Sequence, residues 1–294
     1  MSPQKKIGLF LFLTVSISTL SYIPIISAGT LDGQSLVFVF TLMWSPGLAA
    51  ILTQLIATRS LRGMGWRLGS ARWLGIAYIL PLLYTLPVYA FAWGTGLGSL
   101  STPRQFASLA EQYSSPNITT TATIFLFLQL SVGMAQNLIS GLGEEIGWRG
   151  FFVPELAKVT TFTKTALISG VVWAAWHMPG IFLADLNGTG TPNVYAATMF
   201  TVTLVAISFP FAWLTLKSGS LWPAALLHAS HNTFVYPIFE RLTSDTEITP
   251  YLTGEFGVGL ALTSMVIAYV FWRRQRDVSP RTQPVQMQLA VQGE

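Results

Sequence analysis

Long apolar runs separated by short polar loops set the pattern of this chain. Eight of them approach the roughly 20 residues that a helix needs to cross the hydrocarbon of a bilayer: 7–28, 36–58, 73–96, 121–143, 165–184, 195–216, 221–239 and 256–272. They predict an all-α polytopic membrane protein, a bundle of about eight transmembrane helices. Prolines fall inside several runs (Pro46, Pro81, Pro87, Pro179, Pro210, Pro223, Pro237). Membrane helices tolerate them where neighbours re-satisfy the freed carbonyls. Residues 59–72, RSLRGMGWRLGSAR, read as a basic segment at the headgroups. The tail 277–294 has no helical period and is expected to be a disordered cytosolic extension of a single domain, 1–276, without internal repeats.

Composition agrees. Of 294 residues, 51% are hydrophobic and only 10% charged, against roughly 25% charged in soluble domains. There is no cysteine, which removes disulfides, cysteine-ligated zinc and a thiol nucleophile. The net charge of +4 comes from loops on one side. With the N-terminus inside, fourteen of the sixteen Lys and Arg lie on inner loops and ends, and only Arg104 and Arg241 on outer ones. That bias places both termini in the cytoplasm. It accounts for the basic excess without nucleic acid. The first run follows Lys5 and Lys6, yet its roughly 22 residues exceed a signal-peptide core and Ile26-Ser27-Ala28 is a poor cleavage site, so it is expected to stay as a span.

Ionisable residues inside a membrane segment cost from roughly 2.5 kcal/mol upward and mark candidate functional sites. All three histidines of the chain, His177, His228 and His231, fall within predicted spans, and Glu144 and Glu145 stand at the end of the fourth. Neighbouring helical residues diverge by about 100°, so the two glutamates serve different directions. Glu145 meets Arg149 four residues on, the favourable order for an ion pair. Glu144 shares its face with Asn137, Ser140 and Gly141 and has no basic partner. A carboxylate left so suits a general base. The plainer alternative is that both glutamates cap a helix end at the interface. His177, about 18 Å into its span, lies too deep for an interfacial residue; its plainer role is a core histidine bonded to a nearby carbonyl. His228 and Asn232, at i and i+4, share a face and can donate to one small target. His231 points elsewhere and is expected to serve packing or helix–helix bonding. Glutamate and histidines are expected to meet on the cytosolic side, below the membrane surface.

These residues resemble three motifs of the CPBP intramembrane proteases: Glu-Glu-x-x-x-Arg (Glu144, Glu145, Arg149), aromatic-x-x-x-His (Trp173, His177) and His-x-x-x-Asn (His228, Asn232). That family joins CAAX prenyl endopeptidases of the Ras-converting type with bacterial relatives linked to bacteriocin processing and self-immunity. The resemblance covers about residues 120–240, the expected protease core. Its second motif usually begins with Phe, and Trp173 stands there here; His231 is additional to the pattern. The resemblance implies that Glu144 and His177 activate water, that His228 and Asn232 stabilise the oxyanion, and that Glu145, Arg149 and Trp173 support them.

The expected activity is therefore hydrolysis of peptide bonds near the C-terminus of prenylated or other membrane-associated substrates, with membrane lipid as surroundings and a pocket opening to the cytosol. Two alternatives stay open. Glu144, His177 and His228 also compose the catalytic Zn2+ set of many soluble proteases. A non-catalytic membrane immunity or transport protein would keep polar residues at mid-membrane too.

Overall fold

The computed structural model describes residues 1–31, 33–100, 103–114 and 117–278. Each of the eight predicted runs is helical. Helix α1 spans Pro3–Ala28, α2 Leu36–Thr58 and α3 Ala71–Thr95. A short α4, Pro103–Gln112, precedes the fourth crossing. That crossing runs unbroken from Ile118 to Ala157 as α5 (Ile118–Leu128), α6 (Met134–Gly147) and α7 (Val153–Ala157). Two π-helical turns join them, Gln129–Gly133 and Trp148–Phe152. Then come α8 (Phe162–Leu183), α9 (Asn193–Ser218) and α10 (Trp222–Thr233), the last continuing as a π-helical turn, Phe234–Glu240. A single turn, α11 (Thr249–Leu252), leads to α12 (Val258–Arg273). Among the described residues six helices are long and apolar enough to cross a membrane; α10 and α12 are shorter. The chain is an all-α integral membrane protein.

The largest departure from the sequence reading is in the fourth crossing. Glu144, Glu145 and Arg149 look like a terminus, because charges usually end a span. The helix instead continues thirteen residues beyond Glu144 to Ala157. Everything from Gly143 through Val153 is buried. The charges satisfy one another inside the bundle, so no interface is needed to solvate them. Pro223 is a smaller correction. It occupies the first turn of α10, where a missing N–H removes no helical bond.

Helix α9 forms the centre, buried almost without interruption from Thr203 to Thr215. It packs between α8 and α12, while α10 packs on α3, α6 and α9, and α2 lies between α1 and α6. Polar seams close the two ends. At the basic end, Gln54 donates to the Arg62 carbonyl, the Trp222 indole to the Trp66 carbonyl and the Leu221 N–H to the Gly65 carbonyl. Lys6 reaches Glu155 at 3.2 Å, tying α1 to α7. At the opposite end a two-stranded ribbon pairs β1 (Gly98–Leu100) with β2 (Thr243–Asp245), Gly98 facing Asp245 and Leu100 facing Thr243. The expected tail lies, from residue 279 on, outside the described residues.

The α2–α6 crossing depends on glycine. A Cβ on Gly143 would stand 2.6 Å from the Trp44 Cα, one on Gly147 2.5 Å from the Pro46 side chain, and one on Gly47 2.5 Å from the Gly143 carbonyl oxygen. Small residues let membrane helices approach at backbone distance. Gly143→Ala should therefore cost about 1–3 kcal/mol through overpacking. Gly75→Ala, in open space on α3, should be neutral or stabilising by up to ~1 kcal/mol. Thermal unfolding of the two variants in detergent micelles measures the difference; equal midpoints would remove the crossing's importance.

Candidate active site

Three crossings deliver the motif residues to one pocket of about 160 Å3. Glu144 on α6, Trp173 and His177 on α8, and His228 and Asn232 on α10 all line it. Apolar side chains make most of the remaining wall, among them Val39, Leu42, Phe200, Leu204 and Ile207. Gly141 permits the close approach of α6 to α10, since a Cβ there would stand 3.1 Å from the His228 ring.

The two glutamates divide as the helix geometry requires. Glu145 Oε1 accepts from Arg149 Nη1 at 2.9 Å and pairs with His228 Nδ1 at 2.9 Å. Glu145 and Arg149 are completely buried. The guanidinium lies 4.1 Å from the ring centres of both Trp173 and Phe211, each a cation–π contact worth about 0.5–2 kcal/mol. This explains why Arg149 Nε and Nη2 have no hydrogen-bond acceptor among the described residues: aromatic faces occupy the space where acceptors would stand. Glu144 points elsewhere, and its Oε2 accepts from the Trp173 indole N–H at 2.7 Å.

His177 keeps the hydrogen bond of an ordinary core histidine, Nδ1 to the Trp173 carbonyl at 2.9 Å, and also lines the pocket. A carbonyl only accepts, so Nδ1 carries the proton, and in the neutral ring Nε2 holds the lone pair. The plain role and the functional one coexist. His231 bridges helices as expected, Nδ1 to the Tyr84 hydroxyl at 2.6 Å and Nε2 to Glu255.

Glu255 is the residue that sequence reasoning missed. It falls between the predicted runs 221–239 and 256–272, yet it is buried, bonds both His231 and Tyr236, and reaches the same pocket as Glu144. Its partners lie on α10 and in the π-helical turn that follows it, and no local spacing announces them. Asn187, part of an apparent glycosylation tripeptide, is also buried, its amide donating to the Thr191 carbonyl at 2.6 Å.

The zinc alternative meets a geometric obstacle. Among the described residues no group of three or more His, Asp or Glu side chains is placed to hold a metal ion. Glu144, His177 and His228 share a pocket without forming a ligand set.

The pocket lies toward the end of the bundle that carries the ribbon. The wall draws on Leu31, Leu186, Glu255 and Phe256, from connections at the ribbon end of the bundle, and on no residue of the basic connections. The cause is the length of the fourth crossing: Glu144 stands roughly 20 Å from its basic end at 1.5 Å per residue.

Residues 119–234 match the family model described as type II CAAX prenyl endopeptidase Rce1-like. Across this core the chain is similar to the Rce1-like CAAX prenyl endopeptidases. A CAAX prenyl protease 2 of Methanococcus maripaludis is 24% identical over 135 residues, which are 45% of this chain and 47% of that protein. The matched region thus spans about half the length of that curated relative. In this chain Trp173, the aromatic of the second motif, adds something that Phe lacks, an N–H on Glu144. The pocket also exceeds the matched core, taking Tyr22 from α1 and Val39, Leu42 and Met43 from α2.

Removing one member of a buried ion pair strands the other. Arg149→Ala should therefore destabilise by about 3–5 kcal/mol. Glu145→Gln combined with Arg149→Met removes both charges of the pair and should recover much of that loss. Unfolding midpoints in micelles decide it; a double variant no better than Arg149→Ala would mean that packing, not charge, is what Arg149 supplies.

Proposed function

We propose that this chain is an intramembrane endopeptidase in which Glu144 activates a water for attack on a peptide carbonyl. The observation that carries the reading is the convergence of Glu144, His177, His228 and Asn232, from three crossings, on one apolar pocket. The family match over 119–234 supports it.

In this reading the water sits between the free Oε1 of Glu144 and Nε2 of His177. The carboxylate takes the proton as the oxygen bonds to the scissile carbon. General-base action of this kind is worth about 10²- to 10⁴-fold. The carbonyl oxygen becomes an oxyanion and accepts from the Asn232 amide and from His228. With Nδ1 of His228 committed to Glu145, protonation at Nε2 turns the ring into a charged donor at the pocket. Each such donor contributes about 10²- to 10³-fold in rate. Collapse breaks the C–N bond, and Glu144 returns its proton to the leaving amine. Trp173 holds the orientation of the carboxylate through Oε2, and the Glu145–Arg149 pair holds His228. No step passes through a metal.

Substrates of this reading are peptide segments tethered at the membrane, because apolar walls inside a bundle receive chain that the bilayer already concentrates. The relative's name, a CAAX prenyl protease, brings prenylated C-termini into that class. The excess of Lys and Arg on one set of loops supports a topology with both termini in the cytoplasm.

The test is cleavage of a library of membrane-tethered peptides by the purified protein. Glu144→Gln should lower the rate at least 10²-fold, with an unfolding midpoint near wild type because a Gln carbonyl still accepts from Trp173. Asn232→Ala should lower it about 10²-fold. A chelator should leave the rate unchanged. Wild-type rates in Glu144→Gln would end the assignment of the base, and loss with chelator reversed by zinc would replace this mechanism with a metal-centred one.

A further inference from the structure

The pocket has a direction. On α2 its wall takes Val39, Leu42 and Met43, all within eight residues of Leu36, where that helix begins. On α8 it takes residues from Trp173 to Gly180, in the second half of the helix. Loop residues complete it, Leu31 after α1, Leu186 after α8 and Glu255 before α12. All these positions belong to the end that carries the β1–β2 ribbon.

Toward the other end packed side chains separate this pocket from a second hollow of about 100 Å3 that Lys6, Arg62, Phe151 and Glu155 line. Phe10 stacks among Trp148, Phe151 and Phe152 with ring centres 5.2–5.6 Å apart. All four are at most 2% exposed. Beneath the pocket floor lies the buried Glu145–Arg149 pair. A peptide arriving from the basic end would have to displace both layers.

The basic end is also the cytoplasmic end by the distribution of Lys and Arg, thirteen against two once the buried Arg149 is set aside. We therefore propose that the pocket is loaded from the extracytoplasmic face, so that the substrate is an apolar, membrane-proximal peptide segment exposed on the outer side. This deepens the endopeptidase reading and rests on it for the word substrate. The access route itself needs no catalysis. This narrows the class proposed above: a prenylated C-terminus anchored in the cytoplasmic leaflet would meet the closed end and is left out.

The chain contains no cysteine, so single cysteines report access without background. Leu186→Cys marks the mouth, Leu204→Cys the pocket interior and Arg62→Cys the basic end. Each is expressed in sealed vesicles of known sidedness and exposed to a small membrane-impermeant thiosulfonate. Leu186→Cys and Leu204→Cys should react in right-side-out vesicles and Arg62→Cys only in inverted ones, with at least a tenfold difference in rate between preparations. In right-side-out proteoliposomes, externally added peptide should be cleaved and lumenal peptide spared. Reaction of Leu204→Cys only in inverted vesicles, together with Arg62→Cys, would overturn the proposal. Labelling proceeds whether or not any peptide is cut, so a failed protease assay and a failed access route remain distinct results.

Discussion

One carboxylate buried in a low-dielectric bundle organises much of this molecule. Glu145 has no water to solvate it, and a desolvated ion costs several kcal/mol unless it is paired and hydrogen-bonded. Two partners on its Oε1 offset that cost, Arg149 from the same crossing and His228 from α10. Arg149 in turn needs somewhere to put a planar cation, and finds the faces of Trp173 on α8 and Phe211 on α9. Satisfying one charge therefore fixes the relative placement of four crossings. The pocket residues Glu144, Trp173 and His228 are immediate neighbours of that arrangement, so their geometry is set by the same constraint.

The π-helical turns belong to this logic. Such turns are rare and concentrate at functional sites. Here one follows the Glu144–Glu145 pair directly, with Arg149 inside it, and another follows Asn232 by one residue. Each extra residue per turn rotates what comes after it relative to what came before. A motif face can then look into the bundle centre while the continuing helix keeps its own packing.

Much of the site was legible because its parts are local. Glu145 to Arg149 and His228 to Asn232 are i,i+4 pairs, and the divergence of Glu144 from Glu145 follows from helical pitch alone. The eight apolar runs announced the helices for the same reason. Contacts between distant segments were not legible. No spacing links Glu255 to His231, or His231 to Tyr84, and none tells that the Trp173 indole will find Glu144 29 residues earlier in the chain. The reach of the fourth crossing was misjudged because hydropathy treats three charges as an exit from the membrane. It has no way to represent charges such as Glu145 and Arg149 that neutralise one another in place.

The glycine-mediated contact between α2 and α6 bears on where the smallest working unit ends. The segment shared with the family begins at 119, yet its principal helix leans backbone to backbone on a partner sixty residues upstream of that boundary. Excising the shared segment would strip away one side of the pocket and lay bare a glycine-lined furrow with nothing to fill it. The amino-terminal hairpin is part of the pocket wall, and any shortened version of this protein that keeps the pocket has to keep α1 and α2.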